Sequence, residues 1–170
     1  PESDAVTRER LCYYAENGFP NTFGPQRFGR GTSLSVGLDA LAGRRIRDRR
    51  QLRLGVSAIQ SWLFNFWLAE RVKAGLIDSA LDGDLLRKRE SGGVFWCDEP
   101  EVDTQRIKAG ELVVTGPIPG LKARRARGSA EPYETRALEA AELTLESFRT
   151  VKRLAPGTRR DALAFPTECA

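Results

Sequence analysis

The most regular hydrophobic pattern in the chain lies within residues 57–74. Apolar side chains recur there every three or four positions, at Ile59, Leu63, Phe66 and Trp67, which is the period of an amphipathic helix. Large aromatic side chains at this spacing usually pack inside a protein. We therefore expect one helix here, with its apolar stripe in the core and not at a ligand-binding surface.

Four further helices are indicated by apolar spacing combined with capping residues and glycine stop signals. They are expected over residues 6–16, 33–41, 101–109 and 131–149. The last of these is acidic and the longest of the four.

Short strand-like stretches occupy the remaining apolar positions, at residues 85–88, 93–97 and 111–115. Glycine, proline and acidic turns separate them. Residues 116–129 are rich in glycine, proline and arginine, so we expect an exposed, mobile loop there. Helices alternating with a few short strands predict an α+β fold with a small sheet.

Residues 18–29 combine glycines, aromatic rings, amides and a guanidinium in one tight loop. A nucleobase held outside its stack needs a flat group to replace its lost neighbours. Phe23, Arg27 and Phe28 supply groups of that type. A plain alternative is a tight connection whose phenylalanines fill a core and whose arginine pairs with a carboxylate.

The same loop also carries groups that suit the edge of an extruded base. Asn21 and Gln26 each carry a hydrogen-bond donor and an acceptor on one side chain. Gly24 and Gly29 would let the backbone turn sharply and approach a ligand, while Pro20 stiffens the approach. We expect a loop that is shaped before its ligand arrives.

Three segments resemble motifs of the TruD family of tRNA pseudouridine synthases. Residues 18–29 match the pattern Gly-Phe-Pro-Asn-x-Phe-Gly-x-Gln-Arg-Phe-Gly, and residues 57–65 match Ser-Ala-x-x-Ser-x-Leu-Phe-Asn, continuing into Ala-Glu-Arg at 69–71. Residues 110–117 are similar to a shorter family stretch in which a strand ends in Gly-Pro.

The resemblance implies an isomerase that converts uridine to pseudouridine in tRNA, at uridine 13 of the D-arm, without a metal or another cofactor. It implies that Phe23 stacks on the target uracil. Asn21 would lie beside the nucleophilic aspartate, and Gln26 and Arg27 would brace the loop.

The chain departs from the family at the nucleophile, which TruD enzymes carry upstream of the loop in a Gly-x-Lys-Asp motif. No such motif is present. Asp48 and Asp161 each follow an arginine, but their surroundings are polar, and we interpret both as surface ion-pair residues. The chain starts at Pro1 and contains no methionine, so we expect a fragment that lacks the nucleophile and is inactive alone.

By the resemblance, the α+β fold comprises part of a pseudouridine synthase catalytic domain and a TruD-type α/β insertion domain. The catalytic part would cover residues 1–46, the insertion residues 47–156, and a return toward the catalytic domain residues 157–170. The family holds tRNA in the cleft between these domains.

Charge fits a nucleic-acid partner better than a membrane. The formal net charge is +4, the isoelectric point is about 9.2, and arginine far outnumbers lysine, which suits phosphate contact and base stacking. Two basic runs could contact tRNA phosphates or could simply be solvated faces. The candidates are Arg44, Arg45 and Arg47 in the first run, and Lys122, Arg124 and Arg125 in the second.

Composition excludes several other chemistries. The chain has no histidine, which rules out Ser-His-Asp and Cys-His catalysis within it. Cys12, Cys97 and Cys169 are too widely spaced for a zinc site or a disulfide framework. The same cysteine pattern favours the reducing cytoplasm. No apolar run reaches the length of a membrane span, so a soluble protein is expected, and we expect the intact protein to be a monomer. Two alternatives remain open, a non-catalytic RNA-binding domain and a purely structural α+β domain.

Overall fold

The structure of the chain, a computed structural model, describes residues 2–166 and gives side chains from residue 6 onward; Cys169 and the end of the expected return segment lie outside that range. The five α-helices in the described range are α1 Glu2–Asn17, α2 Thr32–Leu41, α3 Arg49–Lys73, α4 Pro100–Lys108 and α5 Glu131–Glu139. Three 3-10 helices span Pro25–Gly31, Gly128–Ala130 and Leu145–Val151. The strands are β1 Phe19–Pro20, β2 Leu85–Lys88, β3 Val94–Trp96, β4 Leu112–Ile118, β5 Thr158–Asp161 and β6 Leu163–Ala164.

A four-stranded antiparallel sheet in the order β3-β2-β4-β5 forms the centre of the chain. Helix α3 packs against β4 at a glycine, because a β-carbon on Gly116 would lie 2.3 Å from the Trp67 ring. Pro117 follows in the same strand and pairs with Arg159 of β5. This mixture of helices and a small sheet confirms the predicted α+β class.

Helices α2 and α3 cross at two glycines that allow very close approach of their backbones. A β-carbon on Gly37 would lie 2.3 Å from the carbonyl oxygen of Gly55. A β-carbon on Gly55 would lie 2.7 Å from the Gly37 nitrogen. Any larger residue at either position would force the two helices apart.

The apolar stripe of α3 lies in the core as predicted. Ile59, Leu63 and Trp67 are buried, and Phe66 packs against them from a partly buried position. The predicted start of this helix was wrong, because α3 begins at Arg49 and not at residue 57. The arginines that precede the stripe therefore form the first turns of the helix.

Asp48 explains the early start of α3. Its carboxylate accepts hydrogen bonds from the backbone N–H groups of Arg50 and Gln51, at 2.7 and 3.2 Å. Such an N-cap satisfies donors that have no partner inside the helix. The interpretation of Asp48 as an ion-pair residue was wrong, since none of the ion pairs within the described range includes it.

The long acidic helix predicted over 131–149 is broken in two. Helix α5 ends at Glu139, and Glu142 adopts a positive φ of 53° that no helix interior allows. Thr144 and Ser147 then form a reciprocal capping box that starts the 3-10 helix Leu145–Val151. A capping box inside a run of good helix formers marks a new helix start. The spacing of apolar residues alone does not reveal this start.

Helices α1, α2 and α4 and strands β2, β3 and β4 lie where the pattern predicts them, although β4 continues to Ile118. The predicted exposed loop was wrong for its first part, since residues 116, 117, 119 and 120 are buried and residue 118 is partly buried. Strand β5 was not predicted. Its sequence Thr-Arg-Arg-Asp lacks the apolar alternation typical of a strand. The buried position is occupied by Arg159, whose charge is paired with Glu134 of α5.

A separate two-stranded ladder joins the two ends of the described chain. Phe19 pairs with Ala164 and Pro20 pairs with Leu163, in antiparallel order. This ladder brings the loop after β1 next to the segment that follows β5.

Candidate active site

The backbone at Phe23 is held by one side chain of α3. Asn65 accepts a hydrogen bond from the Phe23 N–H at its Oδ1 and donates from its Nδ2 to the Phe23 carbonyl, each at 2.9 Å. One amide thus satisfies both polar groups of that residue. This side chain therefore fixes the loop to the core helix.

The Phe23 ring is half-buried and surrounded by charged and aromatic neighbours. It meets Phe64 edge to face, with ring centroids 5.8 Å apart and planes at 81°. The guanidinium carbons of Arg160 and Arg27 lie 4.0 and 5.3 Å from the ring centroid. Both distances fall within the range of cation–π attraction.

Arg27 is anchored to α3 while its guanidinium stays exposed. Its Nε donates to Ser61 Oγ at 3.1 Å, and the Ser61 hydroxyl donates to the Ser57 carbonyl at 2.7 Å. The first and second resemblance motifs therefore meet in space.

Asn21 is tied to the segment that follows the sheet. Its backbone N–H donates to the Ala162 carbonyl at 2.9 Å, and its Nδ2 donates to the Asp161 carbonyl at 3.0 Å. Arg160 donates from Nε to the Asn21 carbonyl at 3.2 Å and from Nη2 to its Oδ1.

Asn21, Phe23, Arg27 and Arg160 line an open groove of about 480 Å³. Arg87 and Asp161 also lie in its wall. Arg87 pairs with Asp161 at 2.6 Å. Burial lowers the pKa of Arg160, with Asp161 opposing and Arg27 adding to that effect. The residues that line the groove include four arginines, Arg27, Arg87, Arg159 and Arg160, and one carboxylate, Asp161, so the groove is electropositive and suits a phosphate-bearing ligand.

The other predicted loop residues lie outside the groove wall. Gln26 is exposed and Phe28 is half-buried. Gly24 has an ordinary φ of −73°, so the expected need for a special turn there was wrong. The Gln26 amide fills the space instead, since a β-carbon on Gly24 would lie 2.7 Å from its Oε1. Gly29 has a φ of 54° and does need a glycine-like conformation.

The first basic run leads from α2 toward α3 and is exposed. Arg44 pairs with Asp39 at 2.8 Å. Arg45 and Arg47 are also exposed. This run does not line the groove.

The second basic run is organised around Trp96 of the edge strand β3. The guanidinium carbons of Arg124 and Arg127 lie 3.9 and 4.9 Å from its ring centroid. Arg124 donates to the Val94 carbonyl at 2.6 Å, and the Trp96 indole N–H donates to the Arg125 carbonyl at 3.0 Å. Lys122 is exposed beside this cluster. Nothing in the sequence pattern indicates that Trp96 contacts the arginines of this run.

Sequence reasoning did not identify three of the arginines of the groove, Arg87, Arg159 and Arg160. They come from two separate strands, β2 and β5, and nothing in their local sequence sets them apart from surface arginines. Asp161 does form the expected ion pair, but it lies in the groove wall with about one third of its side chain exposed. The sequence does point to Asn65, because Asn65 and Gln60 are the polar groups on the apolar stripe of α3 that could serve a site.

The buried Cys97 offers no reactive thiolate. Burial, with a contribution from Asp103, raises the pKa of Cys97 to about 12, so this thiol stays protonated at neutral pH. Cys12 is exposed on α1. Within residues 2–166, none of the helices combines the length and the apolar character that a bilayer span requires.

Comparison with known proteins gives one consistent family. A family model described as tRNA pseudouridine synthase D (TruD) matches residues 42–169. The chain is 45% identical over 156 residues to a tRNA pseudouridine synthase D from Anaeromyxobacter sp. strain Fw109-5, covering 87% of this chain and 45% of that protein. It is 36% identical over 155 residues to a tRNA pseudouridine synthase D from Thermus thermophilus, covering 87% and 41%.

A solved structure shares the fold. It is a tRNA pseudouridine synthase D (TruD) from Methanosarcina mazei, with a TM-score of 0.75 and 19% identity, and the match covers 95% of this chain and 55% of that one. The chain spans about half the length of the curated relatives it matches.

Proposed function

We propose, on the premise that this chain belongs to the tRNA pseudouridine synthase D (TruD) family, that its whole protein isomerises uridine to pseudouridine in tRNA. The reaction breaks the bond between C1′ of the ribose and N1 of uracil. The base then rotates, C1′ bonds to C5, the proton on C5 is released to solvent, and N1 takes up a proton, so the product is an isomer of the substrate. A uridine must leave its stack to be reached in this way.

The observation that carries the proposal is the clamped Phe23 ring in an arginine-lined groove. Asn65 fixes its backbone, and the groove opens beside it with Asn21 in the same wall. An aromatic plane at the edge of an electropositive groove provides stacking for the extruded uracil and attraction for the flanking phosphates. Arg27 braces the loop through Ser61.

The second basic run is proposed as a further contact for tRNA. Lys122, Arg124 and Arg125 lie in one exposed stretch, and Arg124 stacks on Trp96. Stacked arginines with solvent-facing edges suit phosphate oxygens. Arg44, Arg45 and Arg47 form a second proposed contact on the α2 side of the chain.

The rest of the catalytic machinery is proposed to lie outside this sequence. No aspartate here follows a Gly-x-Lys sequence, so the nucleophile would come from another part of the whole protein. The exposed apolar side chains of α1, among them Leu11 and Tyr13, support further structure packed on that helix. By the family resemblance, we assign residues 1–46 to the catalytic domain, residues 47–156 to the insertion and residues 157–170 to a return toward the catalytic domain.

The family premise supports the finer statements as well. We assign the target to uridine 13 of the D-arm, the cytoplasm as the compartment, and a monomer that needs neither metal nor another cofactor.

The test measures proton release from tRNA labelled with tritium at uracil C5. Two matched transcripts are used, one with uridine 13 and one with cytidine at that position. The whole protein is expected to release one equivalent of label more from the first transcript than from the second, and the 170-residue chain alone is expected to release none. Absence of release by the whole protein, with tRNA bound, would favour the non-catalytic RNA-binding alternative. Absence of tRNA binding at low salt would favour the structural one.

A further inference from the structure

Arg160 of β5 contacts both loop residues that the proposed function assigns to the site. It donates to the backbone carbonyl and the side-chain oxygen of Asn21, across 139 positions of sequence. Its guanidinium carbon lies 4.0 Å from the Phe23 ring centroid. One side chain therefore sets the surroundings of an amide and of an aromatic plane at the same time.

The contact with Asn21 determines which way the amide points. A guanidinium carries only donors, so the atom facing it must be the amide oxygen. The amide nitrogen then faces away from Arg160, and one of its two N–H groups donates to the Asp161 carbonyl at 3.0 Å. Among the hydrogen bonds of the described residues, the second N–H has no partner. It is available to an acceptor in the groove, such as a carboxylate or a uracil carbonyl.

The contact with Phe23 depends on the planar shape of the guanidinium. An arginine stacks on an aromatic face while its edge donates to two oxygens, and a lysine ammonium cannot do both. The guanidinium of an arginine stays charged near neutral pH; burial lowers the pKa of Arg160, and Asp161, next in the chain, opposes that effect. Arg160 therefore stacks on the Phe23 ring and donates hydrogen bonds to two oxygens of Asn21 at the same time.

We propose that Arg160 is a positioning residue for the isomerisation, which fixes the orientation of the Asn21 amide and of the Phe23 ring before tRNA binds. The inference rests on the proposed function, because it concerns the efficiency of that reaction. It assigns Arg160 no contact with the reacting atoms.

The test compares the whole protein with its Arg160→Lys variant. Arg160→Lys retains the positive charge of the groove but loses the plane and the fork. We expect turnover at saturating tRNA to fall roughly 10- to 100-fold, the size of effect that a misplaced group of about 1 Å produces, while the Kd for tRNA changes less than about threefold. Arg149→Lys is the matched control, since Arg149 is exposed on the 3-10 helix Leu145–Val151 and pairs only with Glu146 among the described residues. Its turnover should stay within about twofold of wild type.

A second variant separates positioning from folding. Arg160→Ala is assayed with and without millimolar methylguanidinium, at a temperature well below its own Tm. Restored turnover with unchanged tRNA affinity supports positioning, because the added ion replaces the fork without repairing the chain.

Three outcomes would overturn the inference while leaving the proposed function intact. Arg160→Lys with wild-type turnover would show that charge and bulk suffice. A weaker Kd with unchanged turnover would make Arg160 a phosphate contact. Failure of methylguanidinium to restore any activity would leave only a folding role. An inactive wild-type protein would instead refute the proposed function itself.

Discussion

At the scale of single residues, Phe23 is held more firmly than an ordinary loop phenylalanine. Its backbone bonds to both ends of the Asn65 amide, and its ring meets the Phe64 ring edge to face. A base that stacks on this ring needs no ordering of the loop, so little stacking energy is lost to entropy.

Replacement of Phe23 tests whether the ring acts through its flat face. Phe23→Ala in the whole protein should lower turnover by the equivalent of about 1–3 kcal/mol of lost stacking. Tritium release at saturating tRNA measures this effect, and filter binding measures the affinity, which should change much less. Phe23→Leu keeps most of the apolar volume without the aromatic face, so it should resemble Phe23→Ala. A Phe23→Leu variant with wild-type turnover would rule out stacking.

The loop residues of the proposed site could be predicted from the sequence, whereas Arg160, which contacts them, could not. Phe23, Asn21 and Arg27 lie in one continuous motif of flat and amide groups. Arg160 completes the site from a strand with no apolar alternation, and its role depends on tertiary contacts across the chain. Asp48 shows the same limit, since a cap and an ion-pair residue look alike until the helix start is known.

At the scale of elements, the basic stretch after β4 is anchored more closely than its composition indicates. Ala126 is buried, and its N–H donates to the buried carboxylate of Glu134 at 3.2 Å. Lys122 is fixed through its backbone to Pro156 at 2.8 Å. The exposed side chains of this stretch are thus presented from a supported backbone.

The salt dependence of tRNA binding tests whether this stretch contacts phosphates. A variant with Lys122→Gln, Arg124→Gln and Arg125→Gln in the whole protein should bind more weakly at low salt. The slope of log Kd against log salt should fall by about 0.7–0.9 for each phosphate that the variant no longer neutralises. Filter binding over a range of potassium chloride concentrations gives the slope.

A matched control removes three exposed charges elsewhere, through Arg149→Gln, Lys152→Gln and Arg153→Gln. Its slope should stay close to that of wild type. Equal slopes in the two triple variants would mean that net charge alone matters and that the stretch after β4 is a solvated face.

Element boundaries followed from sequence where one signal dominated and failed where two signals competed. The stripe of α3 was clear, but the start of the helix was hidden because its first three positions, Arg49, Arg50 and Gln51, are polar. The acidic segment after residue 130 has helical spacing throughout, yet the capping box at Thr144 divides it. In both cases a polar capping residue, Asp48 or Thr144, set where the helix begins. The spacing of the apolar residues gives no sign of either start.

At the scale of the whole molecule, two buried ion pairs connect the helices to the sheet. Arg71 of α3 binds Asp84 through two hydrogen bonds, at 2.8 and 3.3 Å, with 1% and 2% of their side chains exposed. Arg159 of β5 pairs with Glu134 of α5 in similarly buried surroundings. Burial raises the pKa of Asp84, while Arg71 acts in the opposite direction.

Loss of one partner of the Arg71–Asp84 pair should be more harmful than loss of both. Asp84→Asn leaves the Arg71 charge buried without a counter-ion and should cost about 3–5 kcal/mol of unfolding free energy. The double variant Arg71→Met, Asp84→Leu removes both charges and should cost clearly less than Asp84→Asn. Urea unfolding of the protein, followed by tryptophan fluorescence, measures both values. An Asp84→Asn variant within about 1 kcal/mol of wild type would contradict this account.

The ladder between β1 and β6 has a consequence for how such a chain can be rearranged. Paired residues in an antiparallel ladder lie about 5 Å apart, so Pro20 and Leu163 are close enough for a tight hairpin turn to join them. The segment between them, residues 21–162, therefore leaves the ladder and returns to it at adjacent positions. A short turn between Pro20 and Leu163 would close the remaining backbone without stretching it, but the segment removed would carry Asn21, Phe23 and Arg160 with it.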